Sequence, residues 1–253
     1  MEYIAQGKSG STAEVARETG IPTGRSSGKL PAIIQYALGM GLIQKESPSG
    51  AQKNRYTLTD FGRSVYLNDP MLSEPFTQWM VHFHLCLPDD GAKAWNLVFG
   101  QGSSILGSRF TRAEVENYLV REFGPGRQRT GPLLRTYLRD EALGRAGILE
   151  VEGDFVRRKT APIQKAYAAG YAAFATMLME KFFGHAAQVA LNDFQENTRW
   201  FDICLWSPED VASALSLMEE TGWLAIDRQM RPYILERKMD SSSLWPQIYD
   251  HLQ

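Results

Sequence analysis

The feature that most constrains this fold is a recurring phrase, in which a helix ends at glycine and the chain runs directly into a short strand. The phrases GLIQKE (residues 41–46) and GILEVE (residues 147–152) both follow such a helix, and TGWLAID (residues 221–227) repeats the pattern more loosely. Glycine favours this position because it readily adopts the left-handed conformation that ends a helix. The recurrence predicts two helix-and-hairpin units, and the third phrase is either a degenerate copy or part of a packing domain.

Residues 1–70 are predicted to form the first unit, in the order helix, turn, helix, strand, hairpin loop and strand. The stretch TAEVARETG forms the first of these helices, with Ser11 or Thr12 as its cap and Glu14 in its first turn. This order is typical of a winged helix. Since only MEYIAQGKSG precedes TAEVARETG, the extra leading helix of such domains is either very short or supplied by another segment or a partner.

Polar and basic residues of the first unit cluster where a winged helix docks on DNA, at the second helix and the wing. Lysine and arginine neutralise phosphates there, while polar side chains reach base edges. Eight Lys/Arg against six Asp/Glu give residues 1–70 a net charge of only +2, so a protein-docking role stays open. The predicted nucleic-acid contacts are Arg25, Ser26, Ser27, Lys29, Lys53, Asn54 and Arg55.

Residues 111–165 are predicted to form a second winged-helix-like unit, which begins with Thr111 as a cap and Glu114 at the capping-box position. Its turn, second helix and hairpin are rich in arginine, which suits phosphate and guanine. The alternative is that carboxylates such as Glu150 and Glu152 pair with these arginines locally. The predicted contacts are Arg127, Arg129, Arg135, Arg139, Arg157 and Arg158.

Residues 71–110 are predicted to be a helical connector, and residues 166–253 a helical part with a possible third hairpin. In the connector, Trp79 and Trp95 belong to a core or an interface. The later stretch NDFQENTRWFDICLW favours the end of a helix followed by a strand, and Ser207 is predicted to cap the next helix.

Three short sequence patterns partly resemble catalytic or metal-binding motifs. GKS at residues 7–9 resembles part of a phosphate-binding loop, but no buried strand precedes it. The H-x-H-x-C pattern of residues 82–86 puts neighbouring ligands on different helix faces, so buried core histidines are the better interpretation. Asp227, Glu236 and Lys238 mimic a nuclease cluster that binds magnesium, although paired charges across strands are usually surface ion pairs.

The composition is that of an ordinary soluble protein, with 43% hydrophobic and 22% charged residues. The net charge of −2 gives no global attraction to nucleic acid, so binding would rest on local patches. The two cysteines lack a pairing pattern, and the sequence shows no signal peptide or membrane-spanning run. We therefore expect a cytoplasmic protein with no cofactor, no metal and no membrane association.

The order of pieces resembles a known but uncharacterised bacterial family, domain of unknown function 4007. The resemblance rests on TAEVARETGI, IIQYALGMGLI, LTDFG, DPMLSEP, TQWMVHFH and the A-x-x-W of AKAW. Members often neighbour genes for DNA phosphorothioation and anti-phage defence. The resemblance therefore implies a role in DNA modification or defence, and it brings no established catalytic residues.

Together these observations predict a mainly α protein with small β-hairpins, built from tandem winged-helix-like units joined by helical segments. Its predicted function is that of a non-enzymatic DNA-binding accessory or targeting protein of a modification or defence complex, with protein partners. The alternative is a protein–protein adaptor without DNA contact, in which exposed aromatics around Trp79 and Trp95 form the interface. A metal-dependent nuclease is the remote alternative.

Overall fold

Helices dominate the computed structural model, which describes residues 1–22, 29–46, 55–126, 130–250 and 252. A π-helical turn spans Asn96–Gln101, and 3₁₀ turns span Lys165–Tyr167 and Trp245–Gln247. The α-helices are α1 (Glu2–Ala5), α2 (Thr12–Thr19), α3 (Lys29–Gly39), α4 (Asp60–Asn68), α5 (Pro75–Leu85), α6 (Lys93–Trp95), α7 (Ser103–Leu106), α8 (Arg112–Phe123), α9 (Thr130–Tyr137), α10 (Ala168–Phe183), α11 (Leu191–Thr198), α12 (Trp200–Cys204), α13 (Pro208–Glu219) and α14 (Ser241–Leu244).

Short strands form three small antiparallel sheets among the described residues. The sheets have the orders β1-β2, β3-β5-β4 and β6-β8-β7. The strands are β1 (Ile43–Lys45), β2 (Tyr56–Leu58), β3 (Arg109–Thr111), β4 (Leu149–Glu152), β5 (Phe155–Arg158), β6 (Gln188–Ala190), β7 (Leu224–Asp227) and β8 (Ile234–Arg237). The prediction of a mainly helical chain with small β elements is confirmed.

The second and third sheets are connected in the same way. In each, a strand leads into helices, a hairpin follows, and the last strand returns to the middle of the sheet. The hairpins β4–β5 and β7–β8 match the predicted positions. The strands β3 and β6 were not predicted; each is three residues long and pairs with a strand more than forty residues away.

The first unit has three helices followed by a two-stranded sheet in which Ile43 lies opposite Leu58. Its leading helix, α1, has only four residues and packs against β2. A helix therefore precedes α2, and it is very short.

Capping boxes begin three of the helices at the predicted residues. The Ser11 hydroxyl accepts a hydrogen bond from the Glu14 main-chain N–H, and the Glu14 carboxylate accepts one from the Ser11 main-chain N–H. Thr111 with Glu114, and Ser207 with Asp210, repeat the arrangement. Such caps fix where a helix starts because they satisfy main-chain donors that have no partner inside the helix.

The core lies around α5 and α10. Every α5 residue from Phe76 to Leu85 is buried, and buried residues from Leu42 to Ile248 form one continuous apolar cluster. Trp79 and Trp95 belong to this cluster, with only 1% and 7% of their surfaces exposed. The expectation that these two tryptophans present exposed aromatics to a partner is therefore wrong.

The predicted strand in NDFQENTRWFDICLW is also wrong, because the segment forms α11 and α12. Arg199 and Leu205 flank α12, and both have a φ of 53°, in the left-handed region. The chain changes direction at both residues, and the short helix between them places Trp200 and Phe201 in the core.

Within the described ranges, we find no helix whose length and hydropathy would let it span a membrane.

Candidate nucleic-acid interface

The first unit places two lysines on its surface without carboxylate partners. Lys29 is the first residue of α3 and Lys45 the last residue of β1, and both are exposed. Neither forms an ion pair with a described residue. Arg55 forms an exposed pair with Glu46 at 3.0 Å. The other predicted contacts here, Arg25, Ser26, Ser27, Lys53 and Asn54, lie outside the described residues.

The side of α3 next to these lysines is apolar. Ile33 is 41% exposed, and it lines a groove of about 530 Å³ together with Tyr36 and Met40. The far wall of the groove belongs to α9 and the segment that follows it, including Arg135 and Glu141. The outward face of α3 therefore combines a cationic start with an apolar middle.

Two of the predicted arginines of the second unit lie on or just after its second helix, α9. Arg135 is exposed on α9 and has no described carboxylate partner, whereas Arg139 lies 3.6 Å from the Glu141 carboxylate. Arg127 and Arg129 fall outside the described residues. The unpaired cation that the structure places on this predicted docking helix is thus Arg135.

Carboxylates neutralise the hairpin of the second unit. Arg157 pairs with Glu150 at 3.2 Å and with Glu152 at 2.8 Å, and Lys159 pairs with Glu150 at 3.0 Å. Hydrogen bonds from Lys159 and Arg157 lower the pKa of the Glu150 carboxyl. Exposed pairs of this kind are weak and can exchange partners. Their carboxylates nevertheless cancel the positive field that a phosphate would meet, as the alternative interpretation of this hairpin proposed.

Arg158 is buried, so its predicted role as a nucleic-acid contact is not retained. Only 4% of its surface is exposed. Its guanidinium donates hydrogen bonds to the Ser103 hydroxyl at 3.0 Å and to the main-chain carbonyls of Phe99, Asp202 and Ile203. Burial lowers the pKa of Arg158 to about 10. Its side chain joins β5 to α12 and the π-helical turn, where it cannot reach a phosphate.

The H-x-H-x-C residues are core residues at the end of α5, with Cys86 just after its last turn. His82 Nδ1 is hydrogen bonded to the Tyr137 hydroxyl at 2.6 Å, and His84 stacks on Phe61 with ring centroids 4.7 Å apart. Burial lowers the pKa of both imidazoles and raises that of the Cys86 thiol. In the portion of the chain that the structure describes, no three His, Cys, Asp or Glu side chains form a group that could hold a metal ion.

The nuclease-like residues do not converge. Glu236 lies opposite Ala225, and Asp227 lies opposite Ile234, so the two carboxylates are two register positions apart. Neighbours on such a diagonal are roughly 7–8 Å apart. The Glu236 carboxylate pairs with Lys238 at 2.8 Å, and Asp227 accepts a hydrogen bond from the Gln229 main chain.

The GKS pattern belongs to a helix end. Gly7 has a φ of 71° just after α1, and Lys8 pairs with Glu18 at 3.3 Å. A helix rather than a strand precedes these residues, which does not suit a phosphate-binding loop.

Two crystal structures have a fold similar to that of this chain. Structures called SspB and magnesium ion-bound SspB match it with TM-scores of 0.63 and 0.65 at 17% and 16% sequence identity. Each match covers 95% of this chain and 78% of the SspB chain. At such low identity the likeness shows the fold alone.

A family model matches part of the sequence. Residues 32–140 match the family described as a protein of unknown function, DUF4007. The match supports the resemblance found in the sequence, and it extends from α3 to the residues just after α9. No curated protein matches the chain significantly.

Proposed function

We propose that this chain is a DNA-binding accessory subunit of a bacterial DNA-modification or anti-phage defence system, without a catalytic centre of its own. The family resemblance is what supports the modification or defence setting. The support for DNA binding comes from the connectivity of the units and from the placement of the cations on the first unit.

The connectivity suits winged-helix units. In such a domain a strand and two helices precede a hairpin, whose last strand returns between the other two. The sheets β3-β5-β4 and β6-β8-β7 have this order. The last helix before the hairpin then enters the major groove, and the hairpin contacts the backbone. In the first unit these elements are α3 and the β1–β2 hairpin.

The observation that carries the proposal is the unpaired state of Lys29 and Lys45. They lie on the two elements of the first unit that would dock on DNA, and no described carboxylate neutralises them. The β4–β5 hairpin has its cations paired instead. Phosphate contact depends on the net positive field of a face. The first unit is therefore the stronger candidate for the unit that binds DNA.

Fluorescence anisotropy of duplex DNA in a salt series tests the proposal. Affinity should fall steeply with salt, and each lost phosphate contact should reduce the log–log slope by about 0.9. The Lys29→Glu/Lys45→Glu variant should bind more weakly with a flatter slope. Lys165→Glu is the matched control, since this lysine is 84% exposed on the 3₁₀ turn before α10.

The same assay with Arg127→Glu/Arg129→Glu tests the second unit. A loss of affinity would place that unit on the DNA as well. Affinity equal to that of the unmodified protein would leave the first unit as the reader.

One observation favours the adaptor alternative, namely the apolar groove between α3 and α9. Ile33 is 41% and the nearby Met71 82% exposed at this groove, where a base-reading helix would present hydrogen-bonding side chains. As an adaptor, the chain would bind no DNA even at low salt. Ile33→Glu would then separate it from its complex, while Val151→Glu, at another exposed apolar residue, would not.

The nuclease alternative is tested by incubating DNA with the protein and Mg²⁺, because one of the similar structures is of a magnesium ion-bound protein. Magnesium-dependent cleavage that is lost in Glu236→Ala would contradict the non-enzymatic proposal. The separation of Asp227 and Glu236 across β7 and β8 predicts no such cleavage.

A further inference from the structure

A cavity of about 130 Å³ lies inside the first unit. Its lining residues come from α1, α2, α3, β1 and β2 and from the segments that join the three helices. The groove between α3 and α9 is a separate feature, which shares only Ile33 with the cavity among the described residues. The cavity is therefore built by the first unit alone.

Apolar side chains form most of the lining. Leu30 and Ile43 are buried, with 2% and 3% of their surfaces exposed. Other apolar lining residues keep part of their surface uncovered, namely Ile4, Val15, Ile21, Ile34, Ala37 and Tyr56. Side chains in a closed protein interior fill the space between them almost completely. The centre of the first unit is thus lined by apolar side chains that the protein itself leaves incompletely covered.

Helix α2 contributes to the wall of the cavity but not to the core. None of its residues is buried. Val15 lines the cavity, and it is not among the described residues that pack against the central apolar cluster. On α3, by contrast, Ile34 and Ala37 line the cavity and also pack against that cluster. A molecule in the cavity would bridge α2 to the core and remove apolar surface from water, which is favourable.

The lining offers little to an ion. Lys8 is the one charged side chain among the described lining residues, and it pairs with Glu18 at 3.3 Å. Met1 also lines the cavity, and burial lowers the pKa of its α-amino group. An ion that leaves water without a partner of opposite charge loses much of its hydration free energy. The lining therefore favours an uncharged molecule.

We propose that this cavity binds a small uncharged apolar molecule, about the size of a single aromatic ring. Apolar cavities of about 150 Å³ stay dry and bind benzene, and this cavity has a similar volume. Tyr3 and Tyr56 add aromatic side chains to the lining. A bound ring can pack against such side chains edge-to-face or in an offset stack.

Larger and more polar occupants suit the cavity less well. Sites for drug-sized ligands measure about 300–1,000 Å³, so the volume limits the occupant to one ring or a short branched alkyl chain. An ordered water molecule needs about two to four polar partners. Apart from the tyrosines, the polar side chains of the lining belong to exposed residues, namely Lys8, Ser9, Thr12 and Thr19. These polar groups therefore lie toward solvent, away from the buried Leu30 and Ile43.

The proposed site goes beyond the proposed DNA binding and does not depend on it. Lys29 and Lys45, which carry the DNA proposal, are not among the described residues that line the cavity. Ring binding can therefore be measured on the full chain without DNA. A failure of ring binding is then distinguishable from a failure of DNA binding.

Methyl NMR of the full chain tests the proposal, with toluene as the probe. Isotope-labelled isoleucine and valine methyl groups report directly on the lining. Toluene should shift the methyl signals of Ile4, Val15 and Ile34 saturably, and its ring protons should give NOEs to these methyl groups. Benzoate is the charged control, because it keeps the ring and adds a carboxylate. Its affinity should be at least about tenfold lower.

Two substitutions on α2 locate the binding in this cavity. Val15→Phe places a ring of its own in the cavity and should reduce the affinity for toluene by at least about tenfold, because the space is then occupied. Ala13→Phe is the matched control, since Ala13 is exposed on the same helix and does not line the cavity. Urea unfolding checks that both variants are folded, and the NOEs in the unmodified protein locate the ring without any variant.

Toluene binding with NOEs to the lining methyl groups, weakened in Val15→Phe and kept in Ala13→Phe, supports the proposal. Four results would overturn it. They are the absence of saturable toluene binding, equal binding of benzoate, toluene affinity that a folded Val15→Phe variant leaves unchanged, and NOEs only to methyl groups outside the lining, such as that of the buried Ile203.

Discussion

The guanidinium of Arg158 donates a hydrogen bond of 3.0 Å to the main-chain carbonyl of Asp202, near the end of α12. The same side chain reaches the carbonyls of Phe99 and Ile203, so one buried cation holds β5, the π-helical turn and α12 together. No carboxylate lies among these acceptors. The charge is balanced by carbonyl dipoles, and the arginine acts as a structural tie between the second unit and the C-terminal part.

Replacing Arg158 should therefore destabilise the whole protein. Arg158→Met leaves several buried acceptors without a donor, and we expect a loss of about 3–5 kcal/mol in the free energy of unfolding. Urea denaturation measures it. Arg157→Met, on the exposed face of the same strand, should cost less than about 1 kcal/mol. Equal losses in the two variants would contradict the structural role of Arg158.

The buried histidines should make the stability depend on pH. Burial lowers the pKa of His82 well below 6.5 and that of His84 to about 3. Below pH 6.5 the unfolded chain binds more protons at these residues than the folded one. Their contribution is therefore complete above pH 6.5 and is lost as the pH falls toward 3. At pH 4.5 we expect His84 to contribute a loss of about 2–3 kcal/mol, with a further loss from His82.

Urea unfolding at pH 7 and pH 4.5 tests this expectation. His84→Phe should reduce the difference between the two pH values, because the ring is kept and the titrating group is removed. His185→Gln should leave the difference unchanged, since His185 is exposed. An unchanged pH dependence in His84→Phe would show that another group is responsible.

The glycine of LTDFG is required by packing. A Cβ at Gly62 would lie 1.8 Å from the main-chain oxygen of Leu42, so α4 approaches the start of β1 too closely for any side chain. Gly62→Ala should reduce the free energy of unfolding by at least about 2 kcal/mol. Without this contact, alanine would stabilise the helix by roughly 1 kcal/mol. Thermal unfolding measures this difference, and a Gly62→Ala variant more stable than the unmodified protein would contradict the close approach of α4 to Leu42.

Gly126→Ala is the matched control for that substitution. No atom of the described residues lies within 4 Å of a Cβ built at Gly126. Its free energy of unfolding should stay within about 0.5 kcal/mol of that of the unmodified protein.

Local signals made three helix starts and two of the hairpins predictable. Ser11, Thr111 and Ser207 cap their helices as predicted, because a cap depends on residues only three positions apart. The short strands β3 and β6 were not predictable in this way. Each is defined by pairing with a strand far along the chain, and three residues carry too little pattern to indicate a strand alone.

Side-chain partners were the least predictable part of the site. The run RRK at residues 157–159 looks uniformly basic, yet Arg157 is exposed and paired while Arg158 is buried. Successive side chains of a β-strand point to opposite faces of the sheet. Once β5 is known, this alternation explains why the side chains of Arg157 and Arg158 point in opposite directions.

The most direct test of the central claim is the salt dependence of DNA binding by the full chain. Fluorescence anisotropy between about 50 and 200 mM salt should show affinity that falls steeply with salt. The Lys29→Glu/Lys45→Glu variant should bind more weakly, with a log–log slope smaller by about 2, while Lys165→Glu should match the unmodified protein. No binding at low salt, or an identical slope in the Lys29→Glu/Lys45→Glu variant, would contradict DNA reading by the first unit.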